Sequence, residues 1–95
     1  MPLALVIHDL PNGSAAAKAL FDAIYEIAPG HWPVTEGAAL VETGVSPTYL
    51  RDHLLRALKG RGETAGVLLV SRLGTNAAWA NLPSVGEAWL RDTLE

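Results

Sequence analysis

The hydrophobic pattern opens with a short, almost continuous apolar run. Leu3 to Leu10 contains Val and Ile, turns polar only at His8 and Asp9, and is followed by Pro11-Asn12-Gly13. A run this short, bounded by turn residues, is typical of a buried strand rather than of a buried helix. We therefore predict a central strand that ends at Asp9, where a metal or a partner could reach the carboxylate.

Two later stretches have the spacing of amphipathic helices. The first begins after the cap residue Ser14 and runs to about Ala28, where Pro29-Gly30 ends it. The second is predicted from Pro47 to Lys59, because a cap residue followed by Pro is a strong start signal, with Gly60 as a left-handed exit. Their apolar stripes are Leu20, Ile24 and Ile27 in the first helix and Leu50, Leu54 and Leu58 in the second.

Three further strands complete the pattern. His31 to Val34 contains Pro33, which cannot donate to a ladder, so this segment is predicted to be an edge or bulged strand. Ala38 to Thr43 follows it through the turn Thr35-Glu36-Gly37 and forms a hairpin. Ala65 to Leu73 repeats the character of the first strand and is predicted to lie next to it in the middle of the sheet.

The resulting order, β-α-β-β-α-β, predicts an α+β fold of the ferredoxin-like type, a four-stranded antiparallel sheet with two helices on one face. The chain of 95 residues is predicted to be a single domain, with a core over 3–73 and a C-terminal extension over 74–95. In the extension, Ala77 to Ala80 could form a short fifth strand. Ser84 to Glu87 resembles a capping box that opens a last helix through Leu94.

Composition adds an expectation about assembly. Hydrophobic residues make up 49% of the chain and charged residues only 18%, which favours a homodimer formed through apolar sheet surface. Trp79 and Trp89 in the extension are large anchors, predicted to dock either on the uncovered sheet face or at a dimer interface. Cysteine is absent, so disulfides, thiolate metal sites and cysteine nucleophiles are excluded.

The net charge and the lack of targeting signals restrict the kinds of partner that we expect for this protein. The N-terminus lacks a basic signal-peptide region and no apolar run reaches about 18 residues, so we expect a cytoplasmic protein without a membrane partner. The net charge of −3 argues against a generally basic nucleic-acid binder. Residues 51–72 are nevertheless locally basic and could contact nucleic acid, although such side chains are commonly the solvated face of a helix. The basic residues of this set are Arg51, Arg56, Lys59, Arg61 and Arg72.

Asp9 is the candidate catalytic and metal-ligating residue. Two such carboxylates brought together across a dimer axis could hold Mg²⁺ or Mn²⁺ and activate water for phosphodiester cleavage. The alternative is that Asp9 caps the amides of Asn12 to Ser14, in which case no cofactor is implied. His8 points to the opposite face of its strand from Asp9 and, like His31, is expected to be structural; His53 is expected to be solvated.

Several segments resemble a known group over nearly the whole chain. The chain is similar to small bacterial proteins labelled SinR family, which are unrelated to the helix-turn-helix repressor of similar name. These proteins resemble in turn the ferredoxin-like subunit of CRISPR adaptation, the second Cas endonuclease family. The matching residues are Val6-Ile7-His8-Asp9-Leu10, His31-Trp32, Leu50-Arg51-Asp52-His53-Leu54, Val67-Leu68-Leu69-Val70, Arg72-Leu73, Ala77-Ala78-Trp79-Ala80 and Trp89-Leu90.

This resemblance implies a ferredoxin-like homodimer and, for the CRISPR relatives, a metal held at the dimer axis by the aspartate that ends the first strand, here Asp9. Two functions follow as hypotheses. The first is a non-catalytic dimeric scaffold or regulatory protein that meets a nucleic acid or protein partner. The second is a metal-dependent nuclease that cleaves RNA or DNA. The first is favoured, because no basic residue follows Asp9 before Lys18 and the net charge is negative.

Overall fold

The computed structural model describes residues 2–28, 30–64, 66–74 and 77–94. Within these ranges the chain is a small α+β protein with four strands and three helices. Their bounds are β1 Leu3–His8, α1 Ala15–Ile27, β2 His31–Thr35, β3 Ala38–Glu42, α2 Pro47–Gly60, β4 Leu68–Leu73 and α3 Ser84–Leu94. Among the described residues, no helix is both long enough and apolar enough to cross a bilayer.

The four strands form one antiparallel sheet in the order β2-β3-β1-β4. The central position predicted for β1 is confirmed, since it pairs with β3 on one side and with β4 on the other. The position predicted for β4 is wrong in one respect: β4 is next to β1, but it lies at the edge of the sheet. It also begins at Leu68, later than predicted, and Ala65 lies outside the described residues.

One side of the sheet, which we call the first face, is covered by α1 and α2. Ala4 and Val6 of β1 pack there with the leucine stripe of α2 and with Ile24 of α1, all of them buried. Both predicted N-caps are confirmed: the Ser14 hydroxyl accepts from the Ala17 amide at 3.1 Å, and the Ser46 hydroxyl accepts from the Tyr49 amide at 3.1 Å.

The end of α2 differs from the prediction, whereas the irregular shape of β2 agrees with it. Gly60 was predicted as a left-handed exit, but it is the last residue of α2, and the positive φ, 72°, belongs to Gly62. The reason is that the amides of Arg61 and Gly62 donate to carbonyls of the last helical turn, which moves the exit two residues on. The irregular β2 is confirmed, because its register shifts between Trp32 and Thr35.

The opposite side of the sheet, the second face, is covered in part by the C-terminal segment, residues 77–94. Leu90 of α3 packs on Leu3 and Leu40. The fifth strand suggested for Ala77 to Ala80 is not formed; these residues are irregular and cross the second face instead.

The capping box predicted at the start of α3 is also wrong. The helix begins at Ser84, and the carboxylate of Glu87 accepts from Arg91 at 2.6 Å rather than reaching back to an N-terminal amide. A cation one helical turn away competes successfully for the carboxylate, since residues i and i+4 are neighbours on a helix surface.

Candidate functional site

Asp9 lies just after β1 and is exposed, as predicted for a carboxylate at the margin of the sheet. Gly66, which precedes β4, lies directly beside it, and a Cβ at residue 66 would overlap the carboxylate of Asp9. Glycine at this position therefore leaves the room that the Asp9 side chain occupies.

The turn after β1 is not closed by a cap from Asp9, which was the alternative role predicted for this residue. The amide of Ser14 donates to the carbonyl of Pro11 at 3.1 Å, and Gly13 adopts a left-handed φ of 80°. The turn is thus closed by its own backbone, and the carboxylate of Asp9 stays available to solvent or to a partner.

Within the part of the chain that the structure describes, the side chains of one chain do not form a site for a divalent cation. Among residues 2–28, 30–64, 66–74 and 77–94, no group of three His, Cys, Asp or Glu side chains is arranged to hold a metal. Mg²⁺ and Mn²⁺ prefer several oxygen ligands. A metal at Asp9 would therefore need ligands from a second chain, and the residues of a single chain do not fit it.

His8 confirms its predicted structural role. It points to the first face, is only 7% exposed, and its ring meets Phe21 edge-on at 6.0 Å. Its Nδ1 accepts a hydrogen bond from the amide of Leu10 at 3.1 Å. Burial lowers the pKa of His8, while the charges of Asp9 and Glu36 oppose that shift. The ring is therefore kept neutral by its packing, and it forms no catalytic pair with Asp9.

The other two histidines also contact the backbone. His31 is half-buried, and one ring nitrogen donates to the carbonyl of Ala28 at 3.2 Å, which ties the start of β2 to the end of α1. His53 was expected to be solvated, but its Nε2 donates to the carbonyl of Ala23 at 3.0 Å. The side chain of His53 therefore crosses from α2 to α1, where it stabilises the contact between the two helices.

Three members of the predicted basic set are engaged within the chain. Arg51 pairs with Asp52 at 2.9 Å, and Arg61 pairs with Asp22 at 3.0 Å. The hydrogen bonds that Asp22 accepts from Lys18 and Arg61 lower its pKa.

Arg72, the third, extends from β4 to the loop after β3, where it donates to the carbonyls of Thr43 and Val45 at 2.8 and 2.5 Å. Arg56 and Lys59 are exposed on α2. Nucleic-acid contact through the five basic side chains stays a prediction.

The two tryptophans of the extension dock on their own chain, which is one of the two alternatives predicted. The ring of Trp89 meets that of Trp32 on β2 at 6.4 Å with an interplanar angle of 66°, and the guanidinium of Arg91 lies 5.7 Å from the centre of the Trp79 ring. Both tryptophans remain half-exposed. A role for them in a dimer interface stays a prediction.

Sequence reasoning missed the residue that positions α3. A Cβ at Gly86 would overlap the indole of Trp32, so only glycine lets the helix lie this close to β2. The available signal was a glycine inside a helical segment, which is unfavourable unless close packing requires it.

An apolar cavity of about 210 Å³ lies between the extension and the sheet. Its walls are Leu5, Trp32, Val34, Ala38, Leu40, Leu73, Ala77, Ala78, Trp79, Leu82 and Leu90. Ligand sites are typically on the order of 300 to 1,000 Å³ and have a few convergent polar groups. This cavity is smaller, and its lining lacks such groups, so it does not favour a small-molecule enzyme.

The second face is incompletely covered near Asp9. Ile7, Val67 and Leu69 are 39%, 53% and 50% exposed, and Ile7 is paired directly with Leu69 across the β1–β4 ladder.

No model of a known family matches the chain, and no curated protein or solved structure matches it significantly.

Proposed function

We propose that this protein is a non-catalytic, homodimeric scaffold or regulatory module with a ferredoxin-like fold. The element order βαββαβ followed by a third helix supports the fold, as does a sheet in which β1 and β3 are central. The dimer and a cytoplasmic location are predictions from the sequence.

The observation that carries this proposal is the exposed apolar strip of Ile7, Val67 and Leu69. Isolated apolar side chains on a surface are ordinary, but contiguous ones on a sheet commonly mark contact with another molecule. In this chain Ile7 lies on β1, Leu69 lies on β4 and Val67 directly precedes β4, the edge strand that has no neighbour among the described residues on its outer side. A surface of this kind suits association better than chemistry.

The alternative function is a metal-dependent nuclease in which the Asp9 carboxylates of two chains hold Mg²⁺ or Mn²⁺. One observation favours it: the carboxylate of Asp9 is exposed just after the end of β1. Against it stands the absence, in the described part of the chain, of any group of three His, Cys, Asp or Glu side chains that could hold a metal. The scaffold is therefore the better-supported function.

The deciding experiment combines metal binding with cleavage. We expect 5 mM Mg²⁺ or Mn²⁺ to change the melting temperature by less than about 1 °C, because a cation that does not bind the native state cannot stabilise it. RNA and DNA incubated with the protein should remain intact both with metal and with EDTA. A metal-dependent rise in Tm that is lost in Asp9→Asn but kept in Asp92→Asn, together with cleavage lost in Asp9→Ala, would establish the nuclease instead.

A further inference from the structure

The two edges of the sheet differ in how they are protected. In β2, Pro33 has no amide hydrogen to donate, and the pairing with β3 shifts register between Trp32 and Thr35. Both features are ways in which proteins blunt an edge strand against further pairing. In β4, the ladder with β1 is regular from Leu68 to Leu73, and no proline or bulge interrupts it. The outer edge of β4 is thus the one suited to accept another strand.

Charge does not protect the β4 edge either. Charged side chains, especially lysine, are a common protective device on edge strands. The one charged residue of β4 is Arg72, and its guanidinium is bound to the carbonyls of Thr43 and Val45 in the loop after β3. Since β1 lies between β4 and β3, this side chain points back across the sheet and away from the open edge. Residues 66–71 are uncharged, so two copies of this edge can meet without opposing like charges.

We propose that β4 pairs antiparallel with β4 of a second copy of this chain, about a two-fold axis at Leu69, so that two sheets join into one of eight strands. This inference rests on the proposed homodimer and specifies its surface. An isologous contact of this kind closes on itself, which limits assembly to a dimer. The occupant is a second copy because the segment is self-complementary in both charge and apolar character.

The position of the axis follows from matching side chains across the new ladder. Opposed residues of an antiparallel pair point to the same face, so a two-fold axis perpendicular to the sheet must pass at a residue. With the axis at Leu69, the two exposed Leu69 side chains meet each other, and Leu68 opposes Val70 of the partner subunit. An axis at Val70 would instead place Leu68 opposite the charged Arg72 of the partner subunit. Cross-strand apolar pairs contribute roughly 0.2 to 1 kcal/mol each, which favours the axis at Leu69 over one at Val70.

The proposed dimer keeps the two Asp9 residues far apart. Residue 9 lies one strand in from the joined edge and level with residue 67, given that His8 is paired with Leu68. With strands about 4.8 Å apart and a rise of about 3.4 Å per residue, the two Asp9 backbones would be separated by about 20 Å. No choice of axis along β4 brings them closer than about 14 Å, which is too far for two carboxylates to share one cation. In this dimer the two Asp9 carboxylates therefore cannot hold one cation between them, which agrees with the proposed non-catalytic role.

Cysteine cross-linking tests the axis directly, because the chain contains no cysteine. In Leu69→Cys, the two introduced thiols would be opposite each other with Cα atoms about 5 Å apart, within the range that a disulfide bridges. We expect oxidation to convert most of this variant to a covalent dimer on a non-reducing gel. Ser71→Cys is the matched control on the same strand and face. Its two copies would lie about 14 Å apart and should remain uncross-linked.

Sedimentation velocity from 5 to 200 µM then separates the possible outcomes. We expect a dimer for the wild type, and for Leu69→Lys at least a tenfold weaker association, because two cations would face each other at the axis. Val85→Lys, at an apolar site on α3 that is 83% exposed against 50% for Leu69, should associate as the wild type does.

Each contrary outcome has a distinct meaning. A dimer that tolerates Leu69→Lys and does not cross-link at residue 69 uses another surface, which overturns this inference but leaves the proposed function standing. Cross-linking at Ser71→Cys alone overturns the axis at Leu69. A wild-type monomer at 200 µM overturns both proposals and leaves the β4 edge to a strand of a different protein.

Discussion

The two faces of the sheet are covered to different degrees. Among the described residues, the core of the first face contains thirteen buried residues, whereas that of the second face contains only Leu3, Leu40 and Leu90. The rest of the second-face cluster is half-buried, and its aromatic members include all three tryptophans. We infer that the first face supplies most of the folding free energy, since burial of apolar area is the dominant favourable contribution.

The incomplete coverage of the second face explains why the exposed apolar surface lies there. The second face is covered by a short irregular segment and one helix, and Ile7, Val67 and Leu69 remain exposed beside them. A face that is not needed in full for stability can retain apolar surface for a partner. The three tryptophans allow the second face to be followed separately from the rest: fluorescence reports the second face, and far-ultraviolet circular dichroism reports the whole fold.

The largest effect is expected from truncating a leucine on each face. Leu54 is fully buried between α2 and the sheet, so Leu54→Ala should lower the free energy of unfolding by about 3 kcal/mol. Leu90→Ala on the second face should lower it by about 2 kcal/mol or less, because its surroundings are less tightly packed. Urea unfolding, followed by tryptophan fluorescence and by far-ultraviolet circular dichroism, measures these losses of unfolding free energy. In Leu90→Ala the fluorescence transition should precede the dichroism transition; coincident transitions in both variants would contradict the difference between the faces.

The second effect concerns the close approach of α3 to the sheet. Replacing glycine by alanine inside a helix normally stabilises by roughly 0.5 to 1 kcal/mol. In Gly86→Ala the added methyl would overlap Trp32, so we expect a loss of about 1 to 3 kcal/mol and a red shift of the tryptophan emission.

Gly60→Ala is the matched control for this substitution. Its added Cβ would meet no atom within 4 Å at the end of α2, so the variant should be neutral or slightly more stable. Equal stabilisation by both substitutions would show that α3 is not held by the contact between Gly86 and Trp32.

A smaller effect is expected from pH at the first face. The pKa of His8 in the folded protein lies below its ordinary value of 6.5, because burial disfavours the charged ring. Below about pH 6.5 the unfolded chain therefore binds a proton more readily than the folded one. The contribution of His8 to stability is complete above that pH and is lost as the pH falls through the lower folded pKa.

Equilibrium unfolding between pH 7.5 and 5 measures this effect. Protonation would also remove the acceptor for the Leu10 amide, so the free energy of unfolding should decline on acidification. The decline should be shallower in His8→Gln. An equal decline in both proteins would assign it to other groups.

The smallest effect is expected at the rim of the second face. Arg91→Gln removes both the contact over the Trp79 ring and the pair with Glu87, which together should contribute about 0.5 to 1 kcal/mol at an exposed site. The emission of Trp79 should shift, and Arg56→Gln on the outer face of α2 serves as the control. An unchanged emission spectrum in Arg91→Gln would argue against the contact with Trp79.

The sequence by itself determined the elements whose signals are local. The caps Ser14 and Ser46 act on amides three residues away, and the hairpin turn at Gly37 lies between its own two strands. The apolar run of β1 also predicted its central place correctly, because a strand without polar alternation has to be covered on both faces. The exposed position of Asp9 at the end of that strand followed from the same run.

The tertiary structure alone decided what depends on contacts between distant segments. The bond from His53 to the Ala23 carbonyl joins residues 30 positions apart, and that from Arg72 to Thr43 joins residues 29 apart. The close approach of Gly86 to Trp32 and the edge position of β4 depend in the same way on how packed elements align. Sequence periodicity shows which face of an element is apolar, but it does not show which element will cover that face or which strand edge will remain open, because both depend on packing between segments far apart in the chain.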